Sequence, residues 1–172
     1  MIAVRLLSPQ EARARRAELA DLLVDSVQSG GAVNFVWPMT QAKADAWWDG
    51  ALASHDAGER LILAAESGGQ MIGTVQLILA PQENQRFRAD VAKMLVLSSA
   101  RRQGIGAALL TAVEEEARRI GRTLLTLDTR TGAAGERLYA RMGWQRVGEV
   151  ADYAINPDGN GLHGATFFFK KL

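Results

Sequence analysis

The sequence predicts one α/β domain over residues 1–172, with a mixed (α+β) sheet and the element order β-α-α-β-β-β-α-β-α-β-β. The length of 172 residues suits a single domain and is enough to bury a hydrophobic core. The composition, 48% hydrophobic and 23% charged with 17 Gly and 4 Pro, is typical of a globular chain. Strand patterns follow one another in the first half and alternate with helix patterns in the second, which indicates a mixed sheet packed against helices.

The first half begins with a strand and two helices, predicted at residues 2–7, 9–28 and 41–57. The first helix starts at Ser8-Pro9, because Ser can cap a helix and Pro fits its first position. Gly30 and Gly31 stop this helix and open a loop. Thr40 can cap the second helix.

A β-hairpin and a third strand follow, predicted at residues 60–65, 71–79 and 88–97. The hairpin is predicted because Ser67-Gly68-Gly69-Gln70 separates two apolar runs. The second half then alternates helices and strands, predicted at residues 106–120, 123–127, 133–142, 144–151 and 165–170. Gly121 and Gly143 end the two helices of this half.

The composition excludes or disfavours several classes of function. A formal net charge of +1 gives no reason to expect nucleic-acid binding. No apolar stretch reaches the roughly 18–20 residues of a membrane span, and the first residues lack the apolar region of a signal peptide, so we expect a soluble, cytoplasmic protein without a membrane partner. The absence of Cys excludes disulfides, thiolate metal sites and a cysteine nucleophile, and two His, His55 and His163, give no basis for a metal site.

Positive charge is concentrated in residues 101–146, where nine Arg and five acidic residues give a net charge of +4. Such a local positive field suits a polyphosphate ligand. Within it, the segment RRQGIGA (residues 101–107) lies between a strand and an amphipathic helix. Glycines let backbone amides converge, and a helix start adds free N–H groups, so this turn predicts a pyrophosphate cradle. It is neither a Walker A loop nor a three-glycine dinucleotide motif, and the alternative is a purely structural turn.

Two motifs and the element order resemble the GNAT superfamily of acyl-CoA-dependent N-acetyltransferases over essentially the whole chain. The motifs are RRQGIGAAL at the glycine turn and LYARMGW at Leu138–Trp144. Within the superfamily, the stretches RADVAKMLVL, LLTLDTR and NPDG…LHGATFF are most similar to the tabtoxin-resistance-type acetyltransferases. The resemblance implies a GNAT-like fold with acetyl-CoA as co-substrate and no metal.

The resemblance also implies which residues hold acetyl-CoA. The strand at Met94, Leu95 and Val96 is expected to separate from its neighbour and to bond the pantetheine arm and acetyl carbonyl through backbone groups. The turn is expected to bind the pyrophosphate through Arg101, Arg102, Gln103, Gly104, Ile105, Gly106 and Ala107.

Two residues are candidates for the chemistry. Tyr139 falls at the family's tyrosine, which protonates the departing CoA thiolate, and a phenol with a pKa of about 10 keeps its proton at neutral pH. The alternative for Tyr139 is a packing role on the last helix. Asp128, at the end of a strand, is the first candidate to bind or deprotonate the acceptor amine, unless it only caps the following turn. Asp90 and Glu83 are second candidates. Without Cys or a G-x-S-x-G motif, direct attack of the amine on the thioester is preferred.

The chain departs from the family's pattern just before Tyr139. Many relatives have Asn-x-x-Ala there, and the Asn contacts the cofactor. This chain has Gly132 and Gly135 at the corresponding positions. The Asn contact is therefore lost or replaced, and Thr131 and Arg137 are the side chains to consider as substitutes.

The acceptor pocket is expected from the first half of the chain. The candidate substrate-binding residues are Phe35, Trp37, Asn84, Arg86 and Asp90. Trp47 and Trp48 stand at helical spacing, which is more typical of a core than of a ligand contact. His163 could reach the site, although a lone His is usually structural or exposed.

We therefore expect an acetyl-CoA-dependent N-acetyltransferase that acts on a primary amine of a small molecule. The tabtoxin-type resemblance suggests an amino-acid-like toxin or antibiotic as acceptor, and hence detoxification or resistance. The alternatives are acetylation of protein or peptide amino groups, a catalytically silent CoA-binding regulatory domain, or a glycine turn that binds nothing. Dimers are common among proteins of this kind, so a homodimer is compatible with the resemblance.

Overall fold

The computed structural model of the protein describes residues 2–172 as a seven-stranded mixed sheet with helices on both faces. The elements are β1 (Ala3–Leu6), α1 (Pro9–Ala14), α2 (Arg16–Gln28), α3 (Gln41–Asp56), β2 (Arg60–Ser67), β3 (Gln70–Leu79), β4 (Arg88–Val96), α4 (Ile105–Arg119), β5 (Leu124–Arg130), α5 (Ala134–Arg141), β6 (Gln145–Ile155) and β7 (Leu162–Lys171). The predicted mixed α/β class is confirmed. In this described part of the chain, no helix has the length and apolarity that crossing a membrane requires.

The strand order of the sheet is β1-β2-β3-β4-β5-β7-β6. Neighbouring strands are antiparallel except β4 and β5, which are parallel and are connected through α4. The parallel pair is short, because only Arg88–Asp90 of β4 pairs with Leu124–Thr126 of β5. Among the described residues no later part of β4 pairs with β5, so the sheet opens into a V between these two strands.

A β-bulge explains the opening. The pairing of β4 with β3 changes register between Thr74 and Gln76, and Lys93, in the extra stretch of β4, has a positive φ of 50°. A bulge bends its strand. Beyond it, β4 continues along β3 with Leu95 opposite Thr74, whereas β5 continues along β7 to its end at Arg130. Beyond the bulge, each of these strands stays paired with one neighbour, and β4 and β5 no longer pair with each other.

Apolar side chains alternate between the two faces of the sheet, as the two-residue period of a strand requires. In β2, Leu63 and Ala65 pack into the core under α4 and α5, whereas Ile62 and Ala64 pack into the core under α1, α2 and α3. The sheet is therefore buried on both faces along its central strands, and the opening between β4 and β5 leads from the surface towards both cores.

The predicted helix at residues 9–28 is wrong in one respect, because it consists of two helices. Its predicted start is confirmed: the Ser8 hydroxyl accepts from the Glu11 N–H at 3.2 Å, and the Glu11 carboxylate accepts from the Ser8 N–H at 2.8 Å. Arg15 interrupts the helix with φ −107° and ψ 20°. Its guanidinium bonds Glu18 at 2.7 Å and pairs with Glu66 of β2, so ion pairs to another element hold the break.

Candidate active site

Two cavities open where β4 and β5 separate. The small cavity has a volume of about 560 Å³ and the large cavity about 810 Å³. Six residues line both of them: Ala32, Val33, Met94, Thr129, Arg130 and Tyr139. The cavities are therefore continuous, and ligands in the two can touch beside Met94 and Tyr139.

The glycine turn before α4 borders the large cavity. Gly104 precedes α4 with φ +81°, and no side chain caps the helix at this position. Arg102 also has a positive φ, of 63°. Left-handed residues in such a turn can direct successive N–H groups to one side. The N–H groups of Ile105–Ala107 add to them, since the first amides of a helix have no partner within the helix and lie at its positive end. The turn is thus a backbone anion site.

The charge on the walls of the large cavity agrees with this geometry. Four guanidinium groups line it, those of Arg101, Arg102, Arg130 and Arg141. Among the described residues that line it, none is acidic. Met94 and Val96 of β4 lie on the same wall, on the edge that β5 leaves unpaired. A ligand with a polyphosphate and a long arm that seeks backbone hydrogen bonds, such as acetyl-CoA, fits these residues.

Tyr139 of α5 lies at the junction of the two cavities. Its side chain is only 7% exposed and packs against the rings of Trp144 and Phe168, each at a centroid distance of 5.9 Å. Burial, together with the negative charge of Asp128, raises the pKa of Tyr139 to about 12. The phenol therefore keeps its proton at neutral pH and can give it to a stronger base.

A buried polar cluster supports Tyr139 from behind. Trp144, which packs on the tyrosine ring, donates its indole N–H to Glu114 at 2.9 Å. The Lys170 ammonium donates to the same carboxylate at 2.7 Å and to the Met142 carbonyl at 2.7 Å. Because the Glu114 charge is paired and hydrogen-bonded, its burial is tolerated. The cluster connects α4, β7 and the end of α5, and so holds the tyrosine ring in place.

Asp128 of β5 and Lys93 of β4 both line the small cavity, and their charges interact. Burial raises the pKa of the Asp128 carboxyl above its ordinary value of 3.8, the positive charge of Lys93 opposes the rise, and Asp90 adds to it. Burial and the positive charge of Arg60 together lower the pKa of Lys93 to about 8, and Asp128 acts in the opposite direction. The small cavity therefore contains a carboxylate whose pKa is raised, Asp128, and an ammonium group whose pKa is lowered, Lys93.

Most of the predicted cofactor residues line the large cavity: Met94, Val96, Arg101, Arg102, Gly104, Ile105, Gly106 and Ala107. Two do not. The Leu95 side chain is 1% exposed and packs into the core, and Gln103 lies outside the cavity lining. Of the predicted substrate-binding residues, only Phe35 lines the small cavity, and His163 lines it as well.

The structure places the other predicted substrate-binding residues outside both cavities. Asn84 and Arg86 lie before the first residue of β4, whereas the cavities are lined by residues of β4 from Val91 onwards. Trp37 is 59% exposed and lies outside both cavities, and its backbone N–H donates to the Pro157 carbonyl at 2.6 Å. Asp90 is likewise outside, paired with Arg88 at 2.6 Å.

The sequence reasoning missed Lys93, which lines the small cavity between Phe35 and Trp47. One signal could have found it, because Lys93 is the one lysine inside the otherwise mostly apolar stretch RADVAKMLVL. Of the two tryptophans predicted to be core, Trp48 is fully buried, and Trp47 lies behind Phe35 at a centroid distance of 5.8 Å.

Gly135 has a clear steric role. A Cβ atom at this position would lie 2.9 Å from the Thr129 hydroxyl and 3.3 Å from the Tyr139 ring, so the glycine lets α5 approach β5. Of the two side chains considered as substitutes for the missing Asn, Thr131 lines the large cavity, whereas Arg137 is exposed and lines neither.

Comparison with known proteins places this geometry among acetyltransferases. The model of the acetyltransferase (GNAT) family matches residues 16–144. Over 115 residues the chain is 32% identical to an uncharacterized N-acetyltransferase from the hisH-hisA intergenic region of Azospirillum brasilense, and the match covers 66% of this chain and 67% of that protein. Over 94 residues it is 32% identical to aminoglycoside N(6')-acetyltransferase type 1 of Klebsiella aerogenes, covering 52% of this chain and 62% of that protein, which is less than two thirds of its length.

A solved structure extends the likeness to almost the whole chain. The Salmonella typhimurium protein yncA, determined with its cofactor acetyl-CoA, superposes with a TM-score of 0.79 over 99% of this chain and 94% of that chain. The two sequences are 19% identical, so this likeness shows the fold alone. Among residues 2–172, no three His, Asp or Glu side chains gather as a candidate metal site.

Proposed function

The chain belongs to the acetyltransferase (GNAT) family and is an acetyl-CoA-dependent N-acetyltransferase, and from this premise we propose that it acetylates a primary amine of a small molecule directly. When bound, acetyl-CoA supplies the acetyl group as a thioester. The residues that would hold it are those of the large cavity: the uncapped amides after Gly104, the arginines around them and the unpaired edge of β4.

The small cavity is the observation that carries the proposal for the acceptor. Its volume of about 560 Å³ is within the range of roughly 300–1,000 Å³ that is typical of small-molecule pockets. It is walled by β4, β5, β6, β7 and the loop before α3 and meets the large cavity at Met94 and Tyr139. An amine bound there would be next to the place where the unpaired edge of β4 can hold the acetyl group.

Two protons have to move in such a transfer, and two side chains are placed to move them. The amine must lose a proton to become a nucleophile, and the Asp128 carboxylate at the cavity wall can bind the ammonium form or accept its proton. The sulfur that leaves must gain a proton, and the Tyr139 phenol holds one, since its pKa is about 12. We propose these two roles for Asp128 and Tyr139.

We also propose that the acceptor is an amino-acid-like toxin or antibiotic, so that acetylation serves detoxification or resistance. The stretches that resemble tabtoxin-resistance-type enzymes support this. The likeness to the Klebsiella aerogenes enzyme supports the role in resistance and not the amino-acid-like acceptor, because that protein is named for acetylating an aminoglycoside.

The proposal is tested by titrating the purified protein with acetyl-CoA in a calorimeter, with dephospho-CoA and adenosine diphosphate as controls. Thiol release is then followed with three acceptor sets: amino-acid-like amines, aminoglycosides and short peptides with a free amino terminus. We expect saturable acetyl-CoA binding at micromolar concentrations and turnover of at least one small amine, which Asp128→Asn lowers without weakening acetyl-CoA binding.

Turnover of peptides alone would replace the small-molecule acceptor with a protein or peptide acceptor. Acetyl-CoA binding without turnover of any of the three sets would favour a regulatory CoA-binding domain instead. If folded protein bound no acetyl-CoA, the assignment of the large cavity itself would be wrong.

A further inference from the structure

We propose that Lys93 is the specificity-determining residue of the small cavity and binds an anionic group of the acceptor, so that the acceptor is a zwitterion with a carboxylate, phosphinate or sulfonate beside its amine. This inference rests on the proposed small-molecule acetyltransferase function and deepens it. It adds a defined chemical class of acceptor and a residue that selects this class.

Lys93 is part of a stack in which cations and aromatic rings alternate. Its ammonium nitrogen lies 5.6 Å from the ring centre of Phe35 and 5.2 Å from that of Trp47. Lys43 lies 5.8 Å from the same Phe35 ring, and the Arg60 guanidinium lies 6.0 Å from Trp47. Aromatic faces attract cations without neutralising them. The stack therefore holds three positive charges close together and leaves them positive.

No carboxylate neutralises these charges within the described residues 2–172. Lys43, Arg60 and Lys93 have no Asp or Glu oxygen within ion-pair distance, whereas many other arginines of the chain, such as Arg16 and Arg88, do. Asp128 is the acidic residue that raises the pKa of Lys93, and its effect is smaller than the opposing effects of burial and Arg60. Lys93 is thus a half-buried cation that forms no ion pair with a carboxylate among the described residues.

The position of the charge indicates the ligand that it serves. Lys43 and Lys93 line the small cavity and not the large one, so they are not placed for the phosphates of the cofactor, which have their own arginines. The small cavity is lined by three cations, Lys43, Lys93 and Arg130, and by one acid, Asp128. Its electrostatic complement is an acceptor with one ammonium, for Asp128, and at least one anionic group. A polycationic amine such as an aminoglycoside is a poor match.

A purely structural role does not account for this lysine. Burying an ammonium group costs solvation that a leucine or methionine of similar size would not lose. Lys93 also has a φ of +50°, which side chains rarely adopt and which is often found at functional sites. The bulge that opens the sheet thus also turns this one residue into the cavity beside Met94.

The experiment compares matched acceptors that differ only in charge. L-methionine, L-leucine and L-phenylalanine are each assayed beside their carboxamides, and kanamycin serves as a polycationic acceptor. Wild-type protein is compared with Lys93→Met, which keeps the length of the side chain, with Lys93→Arg, which keeps the charge, and with Arg86→Met, which removes a cation outside both cavities. Comparing variant with wild type cancels the difference in basicity between an amino acid and its amide.

We expect Lys93→Met to lower kcat/KM for the carboxylate acceptors about ten- to hundredfold relative to their carboxamides, because a charge-assisted hydrogen bond is lost. The loss should appear in KM more than in kcat, Lys93→Arg should restore part of it, and Arg86→Met should change nothing. An equal loss for both acceptors of each pair, or a preference of the wild type for kanamycin, would overturn the proposal.

A binding measurement keeps the inference independent of turnover. Trp47 lies next to Lys93, so intrinsic fluorescence of the protein saturated with CoA reports binding of each acceptor. If no acceptor is acetylated, the small-molecule function fails, but tighter binding of the acids than of the amides, lost in Lys93→Met, still supports the anion site. Equal binding of acids and amides rejects it. Circular dichroism and unchanged acetyl-CoA affinity show that each variant is folded.

Discussion

The two cavities of this protein offer positive groups of different kinds, backbone amides of one turn in the large cavity and side chains of separate elements in the small one. In the large cavity, the amides from Arg102 to Ala107 belong to one continuous turn, and Gly104 supplies the left-handed geometry that the turn needs. In the small cavity, Phe35, Lys93 and Asp128 come from a loop and two strands that are far apart in sequence.

This difference shows which part of an acetyltransferase site can vary. A turn that recognises phosphate through amides needs glycines at certain positions and tolerates many side chains elsewhere, so it suits an invariant co-substrate. A cavity built from side chains of separate elements can change its charge and shape by single substitutions, so it suits a variable acceptor. The predictions below test this division, beginning with Tyr139, one of the six residues that line both cavities.

Tyr139→Phe is expected to have the largest effect. Removing the hydroxyl leaves the ring packed on Trp144 and Phe168 but takes away the proton donor, so kcat should fall about a hundredfold or more. Acetyl-CoA affinity, measured by calorimetry, should change less than about threefold, since an interaction made only during the reaction leaves ground-state binding intact. A normal kcat in Tyr139→Phe would show that the residue serves packing only and would contradict its proposed role as proton donor.

Gly104→Ala should damage only the large cavity. The residue has φ +81°, which a side chain disfavours by roughly 1 kcal/mol, so the turn should shift and the Kd for acetyl-CoA should rise about fivefold to tenfold. Gly58→Ala is the matched control, because Gly58 has φ +74°, open space at its Cβ position and no place in either cavity lining. Both variants should lose similar thermal stability. A similar loss of acetyl-CoA affinity in both would show that the turn has no specific role.

The pH dependence of acceptor binding should come from the small cavity alone. The pKa of Lys93 is lowered from 10.5 to about 8 by burial and Arg60. Its side chain is therefore positively charged below pH 8 and loses this charge as the pH rises above 8. The KM for a carboxylate acceptor should therefore rise severalfold between pH 7 and pH 9.5, measured at saturating acetyl-CoA. Lys93→Arg should abolish the rise, since a guanidinium stays protonated throughout this range.

The Tyr139 phenol does not mimic this change, because with a pKa of about 12 it keeps its proton throughout this range. The pKa of Asp128 is raised from 3.8 mainly by burial, and Asp128→Asn is the variant that separates its contribution. Lys43, across the Phe35 ring, faces the same anion, and Lys43→Met is the variant that separates its contribution. A KM that is flat across pH 8 for carboxylate acceptors would contradict the assignment of Lys93.

Asn84→Ala and Arg86→Ala are expected to have the smallest effects. Both residues lie at the end of β4 that is away from the cavities, and the Arg86 side chain is 78% exposed with only a 3.8 Å contact to Glu83. We expect less than a twofold change in kcat, in KM for the acceptor and in acetyl-CoA affinity. A larger change would mean that the acceptor extends beyond the small cavity along the surface.

The features that the sequence by itself determined are those set by neighbouring residues. The cap at Ser8, the hairpin turn between β2 and β3 and the glycine turn before α4 were all predicted correctly in position. Their physical basis is local, because capping bonds and left-handed glycines act over three or four residues. The motif around Tyr139 indicated the family for the same reason, since it lies in one short stretch.

The tertiary structure alone decided which residues share a cavity. The β-bulge near Lys93 separates β4 from β5. Its position depends on which residues of β4 pair with which residues of β3, and the sequence does not determine this pairing residue by residue. The opening therefore lies along β4 from Val91 onwards rather than at the loop of Asn84 and Arg86. The break of the first helix at Arg15 has a similar origin, because its ion pair to Glu66 of β2 joins residues 51 positions apart. Residues far apart in the sequence are brought together by such long-range pairing, which no local sequence pattern predicts.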